Sequence, residues 1–236
     1  MAQLHQPANE KNADLGQLKR TVVGRLLGMV AVLVLFLFAP AGTLRYWQAW
    51  VYIVILLVPM LLVLRYLFAH SPELLARRMR YREKEAEQKR ILRFGYLLYL
   101  AAFLLPGFDR RFGWSSVPVW VVILADITVV LGYALVVRVF KENAYASRIV
   151  EVEQTQAVIR TGPYATVRHP MYVGALLTFI ASPLALGSYW AVLPALLLIP
   201  MIVARIKNEE AVLLRDLKGY EQYTHDVTYR LIPGIW

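Results

Sequence analysis

The chain has 236 residues, is 58% hydrophobic, contains no cysteine and carries a formal charge of +10. Lack of cysteine excludes disulfides, thiolate nucleophiles and Cys-ligated metals. The charge alone would suit nucleic acid or an anionic lipid surface, but the long apolar runs exclude a nucleic-acid domain, so the basic residues read as loop charge facing an anionic leaflet.

A spanning helix needs roughly 17–25 mostly apolar residues. Six runs approach that length: residues 22–39, 47–68, 91–108, 118–140, 171–186 and 189–206. The polar lead before the first ends in Lys19 and Arg20 and reads as a cytoplasmic segment, not as part of a cleaved signal peptide. Tyr46, Trp47, Trp50 and Tyr52 open the second run and suggest an aromatic belt at its outer end. Residues 70–90 are densely charged and predict an amphipathic surface helix, with Leu74, Leu75 and Met79 as an apolar stripe resting on lipid. The third run is interrupted early by Arg93 and Gly95, and the fourth carries Asp126 near its middle. A carboxylate at that depth is either functional or hydrogen-bonded to a Tyr, Thr or Ser of a neighbouring helix.

The fifth run opens with Pro170, which suits a first helical turn because its missing N–H is no loss there. Gly187-Ser188 joins it to the sixth and predicts a tight hairpin, while Pro59, Pro183, Pro194 and Pro200 predict kinks. The tail from Asn208 reads as amphipathic for three turns and then broken at Pro233. With both ends cytoplasmic, 23 of the 26 Lys and Arg residues fall on the inner side, flanking helix ends included. The expected fold is therefore all-α: a polytopic integral membrane protein of about six transmembrane helices with cytoplasmic N- and C-termini. Residues 1–140 would form an N-terminal membrane region of four spans plus the charged segment 70–90. Residues 141–236 would form a second unit of loop, helical hairpin and amphipathic tail.

Polar chemistry is concentrated in that second unit. Residues 151–156 are a polar run, followed by a Gly162-Pro163 turn and Arg168-His169 at the head of the fifth run. Across the hairpin, Arg205 and Glu209 stand four apart, on one helical face with about 6 Å of rise between them. Such a pair is either a surface salt bridge or a functional one, and Glu210 adds a second carboxylate. His169 is either a local capping residue or part of a site; no second His lies at metal-ligand spacing, so no metal site is expected. Gly-rich phosphate loops, nucleophile elbows and the His-Glu-x-x-His pattern are missing from the sequence. Both clusters fall at one membrane face, which predicts a cytoplasmic site between residues 156–174 and 205–210.

Thr161-Gly-Pro-Tyr164, Arg168-His-Pro-Met-Tyr172-x-Gly174, Arg205-x-x-x-Glu209-Glu210, and Gly219-Tyr-x-x-Tyr223 with Ile232-Pro233 occur in this order. The combination resembles the isoprenylcysteine carboxyl methyltransferase family of integral-membrane methyltransferases, which has phospholipid and thiol methyltransferase relatives. The likeness is close over residues 141–236 and loose over the first four runs.

The resemblance implies S-adenosylmethionine as methyl donor, lined by Gln156, Ala157, Val158, Ile159, Tyr164, His169, Pro170, Met171 and Tyr172. It also implies that Glu209 meets the donor's charged methionine end and that Arg205 faces the acceptor. A carboxylate acceptor, isoprenylcysteine-like, suits an arginine that can hold it in bidentate fashion. An amine or thiol acceptor would instead give weight to a base such as Glu210 or His169. Expected partners are membrane lipids and a lipophilic or prenylated methyl acceptor, with no nucleic acid; in a bacterium the protein would sit in the inner membrane. Two other classes fit the same chain less well: a nicotinamide-dependent reductase resembling the sterol reductases, and a non-catalytic membrane scaffold or lipid-binding protein.

Overall fold

The computed structural model describes residues 8–79, 86–143, 145, 152 and 156–236. Among these all regular structure is helical, in the order α1 (Ala8–Ala41), α2 (Trp47–His70), α3 (Pro72–Arg78), α4 (Ala86–Phe112), α5 (Val119–Glu142), a 3₁₀ turn (Gly162–Ala165), α6 (Pro170–Ala185), α7 (Val192–Asp216) and α8 (Tyr220–Asp226). Each of the six apolar runs lies largely within one long helix. Of these, α1 from Gly16 onward, α2 and α5 are long and apolar enough to cross a membrane, while α6 is apolar but shorter.

Apolar periodicity explains which faces meet. On α5 the buried residues are Val122, Ala125, Asp126, Val129, Gly132, Val139 and Phe140, a stripe with helical spacing. The opposite face exposes Ile123, Ile127, Val130 and Leu131, and α1 and α2 show similar exposed Leu and Val residues. Apolar surface on this scale suits helices solvated by lipid and not by water. The α5–α6 crossing is very close because both helices carry glycine there. A Cβ on Gly132 would lie 2.6 Å from the Gly174 carbonyl, and one on Gly174 would lie 2.6 Å from the Gly132 carbonyl. Small residues let helix backbones approach in this way.

At the end of the bundle away from α3 and the 3₁₀ turn, the buried carboxylate of Asp109 joins three segments. Its Oδ1 accepts from the Ser115 N–H at 2.6 Å, and its Oδ2 accepts from the Ser115 and Ser188 hydroxyls. The Tyr46 hydroxyl donates to the Leu186 carbonyl nearby. Residues 186–191 thus form the hairpin turn, with Gly187 at φ 73° and Ser188 buried.

Several expectations need correction. The predicted aromatic belt divides: Trp47 and Trp50 are exposed, but Tyr46 and Tyr52 are buried because their hydroxyls bond inside the bundle. The stripe on segment 70–90 does not rest on lipid. Leu74 and Leu75 pack into a core with Val22, Val63, Leu67, Val139 and Phe140, and α3 ends at Arg78. Residues 80–85 of that segment lie outside the described residues. Pro194 stands in the first turn of α7, where no backbone donor is lost, so it is not a kink. The tail breaks earlier than Pro233: α7 runs to Asp216 and Gly219 turns the chain with φ 84°. Asp126 is buried, and its Oδ1 has no hydrogen-bond partner among the described residues, so no Tyr, Thr or Ser meets that oxygen there.

Candidate functional site

The site lies at the other end, where α5, α6 and α7 emerge together. The buried face of α7 is apolar at Leu198, Ile202 and Ile206 and turns polar at Arg205 and Glu210 as the helix leaves the bundle. Opposite it, Pro170 begins α6 with His169 at the capping position. The tail returns to this point: the backbone N–H groups of Arg168 and His169 donate to the carbonyls of Tyr229 and Arg230, both at 2.9 Å. Residues on α6, α7 and the tail are thereby fixed against one another.

Beneath the surface sits Glu210, buried and saturated. Its Oε1 accepts from Arg168 Nε at 2.7 Å and faces His169 Nε2 at 3.2 Å, while Oε2 accepts from Arg230 Nε at 2.6 Å. Arg168 also donates to the carbonyls of Thr224, Val227 and Thr228. Burial pushes the Glu210 carboxyl up, but the hydrogen bonds from His169 and Arg230 and the charges of His169 and Arg168 outweigh it and hold the carboxyl at about 2. A carboxylate so paired is a poor base, which removes the role that an amine or thiol acceptor would have assigned it.

Beside it, the Tyr172 hydroxyl links a carboxyl group and a guanidinium. It donates to Glu209 Oε2 at 2.6 Å and accepts from Arg205 Nε at 2.8 Å. Glu209 Oε1 looks onto His169 Nδ1 at 3.9 Å, beyond hydrogen-bond reach. His169 is thus tied down by Glu210 on one ring nitrogen and turned toward Glu209 with the other.

The remaining wall comes from the loop before α6. Gly162 is favoured by its conformation, at φ 58°, and a Cβ there would lie within 2.7 Å of the Glu142 side chain, which would have to shift. Glu142 in turn accepts from the Thr161 hydroxyl at 3.0 Å. Tyr164 is held by Asn143 Nδ2, which donates to its hydroxyl at 2.9 Å, and by the Tyr223 hydroxyl, which donates to its carbonyl at 2.7 Å. Burial, chiefly, pushes the Tyr164 phenol up to about 12.

These elements enclose one cleft. Gln156, Ala157, Val158, Ile159, Tyr164, His169, Pro170, Met171, Tyr172, Arg205 and Glu209 all line it. The structure therefore brings together every residue singled out in the sequence for donor or acceptor, and leaves Glu210 beneath them. Of the polar run 151–156, Glu151, Glu153, Gln154 and Thr155 lie outside the described residues, as does Ser147.

Sequence reasoning missed three contributors. Arg168 was legible only as a neighbour of His169, and Arg230 carried no signal at all. Tyr220, from the Gly-Tyr-x-x-Tyr pattern, forms part of the wall; its hydroxyl is buried and has no hydrogen-bond partner among the described residues.

Residues 120–218 match the phospholipid methyltransferase family. No curated protein matches the chain. Among solved structures, the eukaryotic intramembrane Ras methyltransferase, isoprenylcysteine carboxyl methyltransferase, is similar at 16% identity with a TM-score of 0.46, over 91% of this chain and 86% of that one.

Proposed function

We propose that this chain, whose residues 120–218 match the phospholipid methyltransferase family, transfers a methyl group from S-adenosylmethionine to a membrane-partitioned acceptor at a cytoplasm-facing site. The observation that carries this reading is the cleft itself. A strip of backbone at 156–159, a buried arginine and a partly exposed glutamate all open onto it.

The residues fit such a donor. Glu209 offers an anionic oxygen toward a methionine ammonium or sulfonium, and Tyr172 fixes that carboxylate from behind. The buried Tyr220 hydroxyl offers the cleft a hydrogen-bonding group that no described residue uses. S-adenosylmethionine supplies an already activated methyl on its sulfonium, so the protein's task is alignment and exclusion of water. Arg205, held through Nε by the Tyr172 hydroxyl, carries the positive charge for an acceptor such as a carboxylate. Glu210 stays ionised and paired, and its role is to set the His169 ring.

Calorimetric titration of S-adenosylhomocysteine into the detergent-purified full chain tests the donor, with labelled S-adenosylmethionine and a panel of lipids, thiols and prenylated acids to find the acceptor. One-to-one binding is expected for the parent protein, and Glu209→Ala should abolish it. Arg205→Ala should keep donor binding and lower turnover about a hundredfold. Absence of binding in a folded parent sample would return the chain to the scaffold reading, and unimpaired methylation in both variants would sink the site assignment.

A further inference from the structure

We infer that the groove between α2 and α5 is a binding site for a single anionic phospholipid, with an acyl chain in the groove and the phosphate at Lys141. The groove is a cavity of about 380 Å³, within the size range of ligand pockets, about 300–1,000 Å³. Pro59, Leu62 and Val63 of α2 face Val130, Ala134 and Val137 of α5 across it. Its existence follows from the residues: Ala134 has too little side chain to fill the gap, and Pro59 breaks the hydrogen-bond ladder of α2 at the same level.

Its polarity runs along its length. The inner part is apolar, and at the α5 end it reaches Tyr66, Phe140 and Lys141. From Val130 to Lys141 the helix rises about 16 Å, close to half of the ~30 Å hydrocarbon core. That is the depth of one leaflet, so a chain lying there places its headgroup beside Lys141. The Lys141 ammonium lies 5.6 Å from the Tyr66 ring centroid, and Tyr66 stacks on His70 from a ring distance of 4.6 Å. Lys141 makes no ion pair among the described residues. The adjacent acid, Glu142, is turned to Thr161 and Arg138. Two further cations, Arg65 and Arg138, are exposed on the same turns. An ammonium with no ion pair among the described residues, beside an amphipathic ring and above an apolar slot one leaflet deep, is complementary to a phosphate on a lipid and not to a free anion or a protein strand.

The site is separate from the donor cleft, although Arg78 touches a wall of each. Its guanidinium lies 4.3 Å from the Phe140 ring centroid, and its Nη1 is 4.0 Å from Met171 Sδ. The inference is independent of methyl transfer, and so is its test.

Native mass spectrometry of the detergent-purified full chain, titrated with phosphatidylglycerol or with phosphatidylcholine of the same acyl chains, provides the measurement. Phosphatidylglycerol should give a one-lipid adduct favoured about fivefold or more over phosphatidylcholine. Lys141→Glu should erase that preference, and Ala134→Trp, which fills the exposed side of the groove, should suppress the adduct with either lipid. If Ala134→Trp is not monodisperse and cooperative in thermal unfolding, Leu62→Trp from the facing wall carries the same test. Equal adducts with both headgroups in the parent protein, an unchanged adduct in the filled groove, or a dimer mass free of lipid would each overturn the site.

Discussion

The two ends of the helical bundle each bury a carboxylate, and they satisfy it by opposite means. At the far end Asp109 receives two serine hydroxyls and one backbone N–H. At the site end Glu210 receives two arginines and a histidine. A hydroxyl can turn round and accept a hydrogen bond, whereas a guanidinium can only donate. The far cluster is therefore tolerant and serves as a clasp on three segments. The site cluster is intolerant: it makes the charge of one buried group a condition for the order of all the others. It lies beside Glu209, Tyr172 and Arg205, which the proposed function needs in register.

That difference can be broken by changing the charge and leaving the shape. Glu210→Gln places an amide where two arginines aim their donors, and leaves Arg168 buried without its counter-charge. A loss of about 3–5 kcal/mol is expected in chemical or thermal unfolding of the detergent-solubilised chain; stability equal to the parent would refute the cluster's role. The same group gives a pH signature. Its carboxyl is held below its ordinary value, so its contribution is fully present above the unfolded pKa and drains away as pH falls from about 4.5 toward 2. Unfolding midpoints measured across that window should drop in the parent protein and stay flatter in Glu210→Gln.

Tyr172→Phe sharpens the comparison on the functional side, because it removes the shared hydroxyl without touching either charge. A cost of about 1–2 kcal/mol in transition-state stabilisation is expected, seen as roughly tenfold lower turnover with the melting temperature little changed. Turnover equal to the parent would mean that Arg205 and Glu209 need no link. The smallest effect belongs to Asp109→Asn. Its hydroxyl partners can reverse, so under about 1 kcal/mol should be lost, and a collapse in stability would show that the far end depends on charge after all.

Much of this arrangement was legible in the sequence, and the illegible part has a common physical cause. Helical runs are local, since apolar length and spacing report them directly, and the six runs emerge as helices. Pro170 announced the start of α6 for a similarly local reason. The partners of Glu210 are long-range: Arg168 is 42 residues away and Arg230 is 20 away. Nothing about an isolated arginine in a tail tells which carboxylate it will reach. The stripe of α3 failed for a related reason, because apolar spacing identifies a face that must be covered but not whether lipid or protein covers it. Asp126 is recognisable in the sequence as costly, but no Tyr, Thr or Ser bonds its Oδ1 among the described residues.

Because the N–H groups of Arg168 and His169 bond to carbonyls at 229 and 230, the cleft has a place in time as well as in space. Synthesis proceeds from the N-terminus and earlier segments fold first, so α1, α2 and α5, the helices long and apolar enough to cross a membrane, are made before the segment around residue 230. Until that segment arrives, the head of α6 lacks two of its backbone partners and Glu210 lacks Arg230. A chain that stops short of that segment already holds those three helices but has no finished cleft. On the proposed reading, donor binding requires the segment through residue 230, and a translation-arrested series lengthened stepwise past that residue should acquire it abruptly and late.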